Sequence, residues 1–176
     1  MDKIIRGLSL WREKYAMSSR EEQFRLVASL FLDSPYVWGS ENVLRTDCSG
    51  LVCGAFTIMG HPLRITATDL YKSVFTKDTN EKYEKEKVKA AFLLAKHPYD
   101  TQSGRRDKGT ARHVGIIYGE DLLLHATYPA GTIVETIDRV RSSYSRKDCE
   151  MVFRELDWDA LKEMEGEVYG LDTELI

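Results

Sequence analysis

The sequence predicts an α+β fold, with helices first and an antiparallel sheet after them. Three observations carry this. Up to about residue 60, apolar residues recur at three- and four-residue spacing, the helical period. From residue 88 onward, short runs rich in β-branched and aromatic residues are separated by turn residues. The chain of 176 residues, 43% hydrophobic and 30% charged, is long and apolar enough for a single folded domain with its own core.

The elements follow in order. Ile4, Leu8, Trp11 and Tyr15 mark an amphipathic helix over 3–16, read as an N-terminal extension over 1–19. Ser19 and Glu22 form a capping box that opens a second helix over 20–32, carrying Phe24, Leu26, Val27, Leu30 and Phe31. Asp33-Ser34-Pro35 stops it. A third helix runs over 48–59 and ends at Gly60-His61-Pro62, with glycine at the position past the cap. Residues 66–75 are weakly helical, and 77–87 are a solvated run of mixed charge. Strands are expected at 88–95, 111–118, 122–127, 132–136 and 151–156, pairing in sequence, with a polar loop over 96–110 and an acidic tail over 157–176.

Net charge is −3, which gives no electrostatic case for nucleic acid. No apolar run reaches the roughly 18 residues of a membrane span. The first residues lack the apolar core of a secretory signal, and the compartment stays open. Three cysteines, Cys48, Cys53 and Cys149, are too few and too odd in number for a disulfide framework.

Cys48 stands between Asp47 and Ser49, at the start of the third helix. Unpaired backbone N–H groups and the positive end of the helix dipole favour thiolate there, the nucleophilic form. The same placement fits a small buried hydrophobe. Two of the four histidines, His113 and His125, lie on adjacent expected strands, and Gly119 is midway between them. An odd-length turn at Gly119-Glu120-Asp121 puts both on one sheet face, about 5–8 Å apart at Cβ, whereas a two-residue turn puts them on opposite faces. His113 is then placed as a general base and His125 as the group that orients it. A zinc site of Cys48, Cys53, His113 and His125 is the rival account, and its spacing matches no common zinc motif. Arg105, Arg106, Lys108 and Arg112 make a basic stretch beside His113, either solvated or in contact with an anionic substrate.

Taken together, Pro35-Tyr36-Val37-Trp38-Gly39, Asp47-Cys48-Ser49-Gly50-Leu51-Val52, Pro62-Leu63-Arg64, His113-Val114-Gly115-Ile116-Ile117-Tyr118-Gly119 and Leu124-His125-Ala126 resemble the NlpC/P60 family of papain-like cysteine peptidases. The resemblance spans roughly residues 20–156. It implies a cysteine-bearing helix packed on an antiparallel sheet, with Cys48 as nucleophile, His113 as base and His125 as orienting residue. It implies further that Tyr36 faces the cleft, and that Asp47 and Ser49 match positions that bind a free substrate amine in dipeptide-releasing members. The implied substrate is a murein stem peptide, cut at its γ-D-glutamyl–diaminopimelate bond, with no cofactor and no metal. A muramoyl-alanine amidase or other small-molecule acyl chemistry, and a non-catalytic binding or phage-type structural module, are the alternatives on this scaffold. Three features depart from the family pattern: Ser40 where a second glycine is usual, the run 87–94 in place of Pro-Gly-Asp-Leu, and the length of the loop 96–110. They surround the cleft and bear on substrate choice.

Overall fold

The computed structural model describes residues 2–101 and 104–166, with side chains from Ser9 onward. The side chains of Ile4 and Leu8, residues 102–103 of the long loop and residues 167–176 of the acidic tail lie outside the described residues.

Helix α1 (Asp2–Met17) is followed by α2 (Arg20–Ala28), opened by the expected capping box of Ser19 and Glu22. A single 3₁₀ turn, Ser29–Phe31, continues α2 to the stop at Asp33. A two-stranded hairpin, β1 (Glu41–Asn42) and β2 (Arg45–Thr46), leads into α3 (Cys48–Ile58). Gly60 takes a φ of +92°, and His61 N–H reaches back to the Phe56 carbonyl at 2.9 Å, so α3 ends in the glycine cap that its sequence announces. The weakly helical stretch is a short turn, α4 (Ala67–Asp69), running into a π-helical turn at Leu70–Val74.

The main sheet has six strands: β3 (Lys77–Asp78), β4 (Lys89–Ala95), β7 (Ala111–Gly119), β8 (Leu122–Thr127), β9 (Gly131–Thr136) and β10 (Cys149–Glu155). Their order is β3-β10-β4-β7-β8-β9, all antiparallel neighbours. Simple sequential pairing is therefore corrected at one point: the last strand, β10, inserts between β3 and β4. The loop over 96–110 holds a separate hairpin, β5 (Tyr99–Thr101) with β6 (Gly104–Arg106). Helix α5 (Ile137–Ser145), absent from the sequence expectation, links β9 to β10, and α6 (Trp158–Glu163) follows the sheet.

The sheet carries an apolar layer on each face. One joins Val114, Ile116 and Leu124 with Leu51, Val52 and Phe56 of α3, and with Phe24 and Val27 of α2. The other joins Ala91, Leu93, Ile117 and Leu123 with Ile137 and Val140 of α5. Two glycines of α3 set how closely the β1 segment approaches. A Cβ on Gly50 would stand 1.9 Å from the Ser40 carbonyl oxygen, and one on Gly54 would stand 2.3 Å from that of Glu41. The backbone of 40–41 thus lies directly on the helix, which brings the Tyr36–Gly39 segment to the N-terminal end of α3. The mixed-charge run 77–87 is largely exposed, as expected, but Arg25 anchors it by donating to the Lys85 and Lys87 carbonyls. Among the described residues, no helix is long and apolar enough to cross a membrane.

Candidate active site

Asp47 is the N-cap of α3, and it does more than cap. Its Oδ1 accepts from Gly50 N–H at 2.6 Å and from Ser49 Oγ at 3.0 Å. Its Oδ2 accepts from Gly39 N–H at 2.7 Å and from Arg64 Nη2 at 2.8 Å. Arg64 also donates to Ser49 Oγ at 2.9 Å. A buried carboxylate needs such a full set of donors, because an unpaired charge in the interior is costly. The network fixes Cys48 at the first turn of α3, beside the loop that holds Tyr36 and Trp38.

The Cys48 sulfur lies against the backbone N–H of Val114, so the helix start meets β7 at the peptide that follows His113. Cys48 is only 8% exposed. Burial pushes its thiol up to about 12, with the Asp47 charge adding to this, while the Val114 and Ser49 N–H groups and Arg64 pull the other way. Burial thus opposes the thiolate that the helix terminus favours. His113 is 3% exposed, and burial, then His125, then Lys147 bring its pKa well below the ordinary histidine value. Burial favours the neutral form of both groups.

His113 pairs with Leu93 of β4, and the register of β4 with β7 then shifts so that Leu94 faces Ala111. A bulge of this kind re-aims the side chains beside it. Cys48 belongs to the apolar layer on the α3 face, whereas the His113 ring lies on the α5 face, so the two residues approach this irregular start of β7 from opposite sides. The His113 ring stacks on Tyr144 of α5, centroids 4.9 Å apart and planes 18° from parallel.

His113 Nε2 and His125 Nδ1 are 2.8 Å apart, so the two histidines share a face as their spacing implies. The route is different from the expected odd turn. The turn itself is two residues, Glu120 and Asp121, and a bulge at Tyr118, between the pairs Ile117–Leu123 and Gly119–Leu122, restores the parity. Gly115 gives the rings room: a Cβ there would come within 2.5 Å of Leu123 and 3.1 Å of the His125 Cβ. Beyond His125 stands a residue that sequence reasoning missed. Glu135 Oε2 lies 3.2 Å from His125 Nε2, and Arg139 Nε lies 2.8 Å from Glu135 Oε1.

Tyr36 is half-buried, its ring edge-on to Tyr128 at 6.4 Å. Burial first, then the Cys48 and Asp47 charges, raise its pKa and keep the hydroxyl protonated. A cleft of about 630 Å³ opens at Cys48, and Trp38, Asp47, Ser49 and Arg64 line its near side. The β5–β6 hairpin and the start of β7 supply Tyr99, Arg105, Arg106 and Arg112 to its far side. Cys53 takes no part: its thiol points to the Ile65 carbonyl at 3.6 Å. Among the described residues, no three His, Cys, Asp or Glu side chains are grouped to hold a metal ion.

Comparison with known proteins agrees with this architecture. The family model described as NlpC/P60 family matches residues 33–154. The NlpC/p60 domain of the peptidoglycan hydrolase SagA superposes with a TM-score of 0.54 at 17% identity, covering 79% of this chain and 99% of that one. A Staphylococcus aureus subsp. aureus Mu50 protein, described as similar to a lipoprotein of the NLP/P60 family, gives 0.53 at 20% identity, over 78% of this chain and 42% of its own. No curated protein sequence matches the chain. With the family model matching well over half of its residues, the chain belongs to the NlpC/P60 family.

Proposed function

We propose that the protein is a cysteine amidohydrolase acting on bacterial cell-wall stem peptides, with the γ-D-glutamyl–diaminopimelate bond as its target. One observation carries this reading: Cys48, at the start of α3, abuts β7 beside His113, whose far nitrogen is hydrogen-bonded to His125. Membership of a family whose members are generally hydrolytic supports it, as does the fold shared with a peptidoglycan hydrolase domain.

In this mechanism the Cys48 proton passes to His113 as the sulfur attacks the amide carbonyl, because both groups rest neutral. The oxyanion is held by the Cys48 backbone N–H and the Tyr36 hydroxyl, a protonated donor. The His113 imidazolium then gives its proton to the leaving amine, and a water deprotonated by His113 releases the acyl group. Stem peptides carry free carboxylates beside the scissile bond, and Arg105, Arg106 and Arg112 on the cleft wall suit them.

Asp47 and Ser49 are assigned to the substrate's amino end. Asp47 already has four donors, so a substrate ammonium reaches it by displacing Gly39 N–H or Arg64.

The test is digestion of defined muropeptides with mass spectrometry of the products. The expected result is release of L-Ala-γ-D-Glu by the parent protein and none by a folded Cys48→Ala variant. Cleavage by that variant at the parent rate contradicts the assignment. Loss of the whole stem peptide from muramic acid would instead make the protein an amidase.

A further inference from the structure

We infer that Glu135 is a positioning residue that sets the tautomers of both active-site histidines, and so presents the His113 lone pair at Nδ1. The inference rests on the proposed roles of Cys48 and His113 and adds a residue to them. Three strands build the relay on one face of the sheet. His113 is on β7, His125 on β8 and Glu135 on β9. Ile133 is the cross-strand partner of His125 and Leu123 that of Glu135, so Glu135 is a diagonal neighbour of His125 on the same face.

The logic is one of donors and acceptors. An ionised carboxylate only accepts, so the His125 Nε2 facing Glu135 at 3.2 Å carries the hydrogen. A neutral imidazole has one N–H, so His125 Nδ1 is then an acceptor. The His113 Nε2 at 2.8 Å from it must donate, which leaves His113 Nδ1 bare. That is the form a general base needs. When His113 takes the thiol proton at Nδ1, its Nε2–H keeps the same bond to His125, and nothing in the relay has to turn.

The relay works only while His125 is neutral. An imidazolium at His125 would donate from Nδ1 and force the hydrogen of a neutral His113 onto the wrong nitrogen. Two features oppose that. His125 is 1% exposed, and Arg139 shares the Glu135 carboxylate at 2.8 Å and draws off part of its charge. The other groups on the pair are Tyr144 from α5, stacked on His113 and itself near Cys48, and Lys147 just after α5, whose positive charge works against protonation of His113.

The experiment is ¹⁵N NMR of ring-labelled histidine in the full chain at neutral pH, with the parent, Glu135→Leu and Glu135→Gln compared. Signals are assigned by single His→Gln variants. In the parent, both His113 and His125 are expected as Nε2–H tautomers. Glu135→Leu removes the acceptor: the Nδ1–H form of His113 appears, and kcat/KM on a stem peptide falls about tenfold to a hundredfold, the range for partners one step behind a functional histidine. Glu135→Gln keeps an acceptor oxygen, and it retains the parent tautomers and loses less activity. An Nδ1–H His125 in the parent, tautomers in Glu135→Leu that match the parent, or a shift in tautomer with no change in rate each overturns the inference. The tautomers are read without substrate. Failure of the relay is thus separate from failure of the peptidase assignment, which the Cys48→Ala digestion decides.

Discussion

On the α3 side of the main sheet, Val114, Ile116 and Leu124 join Leu51, Val52 and Phe56 in an apolar layer. On the α5 side, the alternate residues of the same two strands are His113, Gly115, Leu123 and His125. Strand alternation lets one pair of strands build both. The dry layer fixes the height and angle of α3, and with it the position of Cys48. The other layer trades apolar area for hydrogen bonds between rings, and it keeps only the neighbours of those rings apolar. Stability should therefore be concentrated on the α3 side and rate on the α5 side.

The largest expected effect comes from the polar face. His113→Gln removes the proposed base at similar volume, and kcat/KM should fall by about 10²- to 10⁴-fold, the usual worth of a positioned base, while the melting temperature stays within a few degrees of the parent. The mirror change is Phe56→Ala. Phe56 is fully buried and its ring stands 4.8 Å from Phe24 and 6.2 Å from Phe75, so truncation should cost about 3–5 kcal/mol in denaturant unfolding. The fraction that stays folded should keep its kcat. A Phe56→Ala variant of unchanged stability, or a His113→Gln variant that loses as much stability as Phe56→Ala, would erase the contrast.

A smaller effect separates a neutral Cys48–His113 pair from a preformed ion pair. Burial is the chief cause that raises the thiol, to about 12, and lowers the imidazole, and on the proposed mechanism the free protein carries little thiolate at neutral pH. Alkylation of Cys48 by iodoacetamide should be slow at pH 5 and climb steadily beyond pH 9, as thiolate forms only with rising pH. A rate already at plateau near pH 5 would mean that the helix dipole and the imidazolium hold a thiolate after all.

The parts of this site that follow local rules were legible in the sequence. The cap at Asp47, the glycine stop at Gly60 and the cysteine at a helix start are all written within a few residues. The shared face of His113 and His125 is legible too, although the turn supplies only part of its cause. The bulge at Tyr118 leaves no local signature, and parity counted from a turn alone misses it. Glu135 is an ordinary polar strand position in the sequence, because what sets it apart is the diagonal neighbour on β8. Helix α5 was hidden by its polar composition, though Ile137, Val140 and Tyr144 do follow helical spacing. The place of β10 between β3 and β4 depends on pairing across more than fifty residues, which no local pattern encodes. The hairpin β5–β6 reads as a polar loop because its second strand, Gly104–Arg106, is exposed throughout and carries no apolar residue.

The most direct test of the central claim is to trap the covalent intermediate. A reaction with a stem peptide is quenched in acid within its first turnovers, and the protein is digested and mapped by mass spectrometry. The account predicts the acyl part of the peptide as a thioester on Cys48, with Cys53 and Cys149 unmodified. Product formation with no adduct on Cys48, or an adduct on another residue, would contradict it.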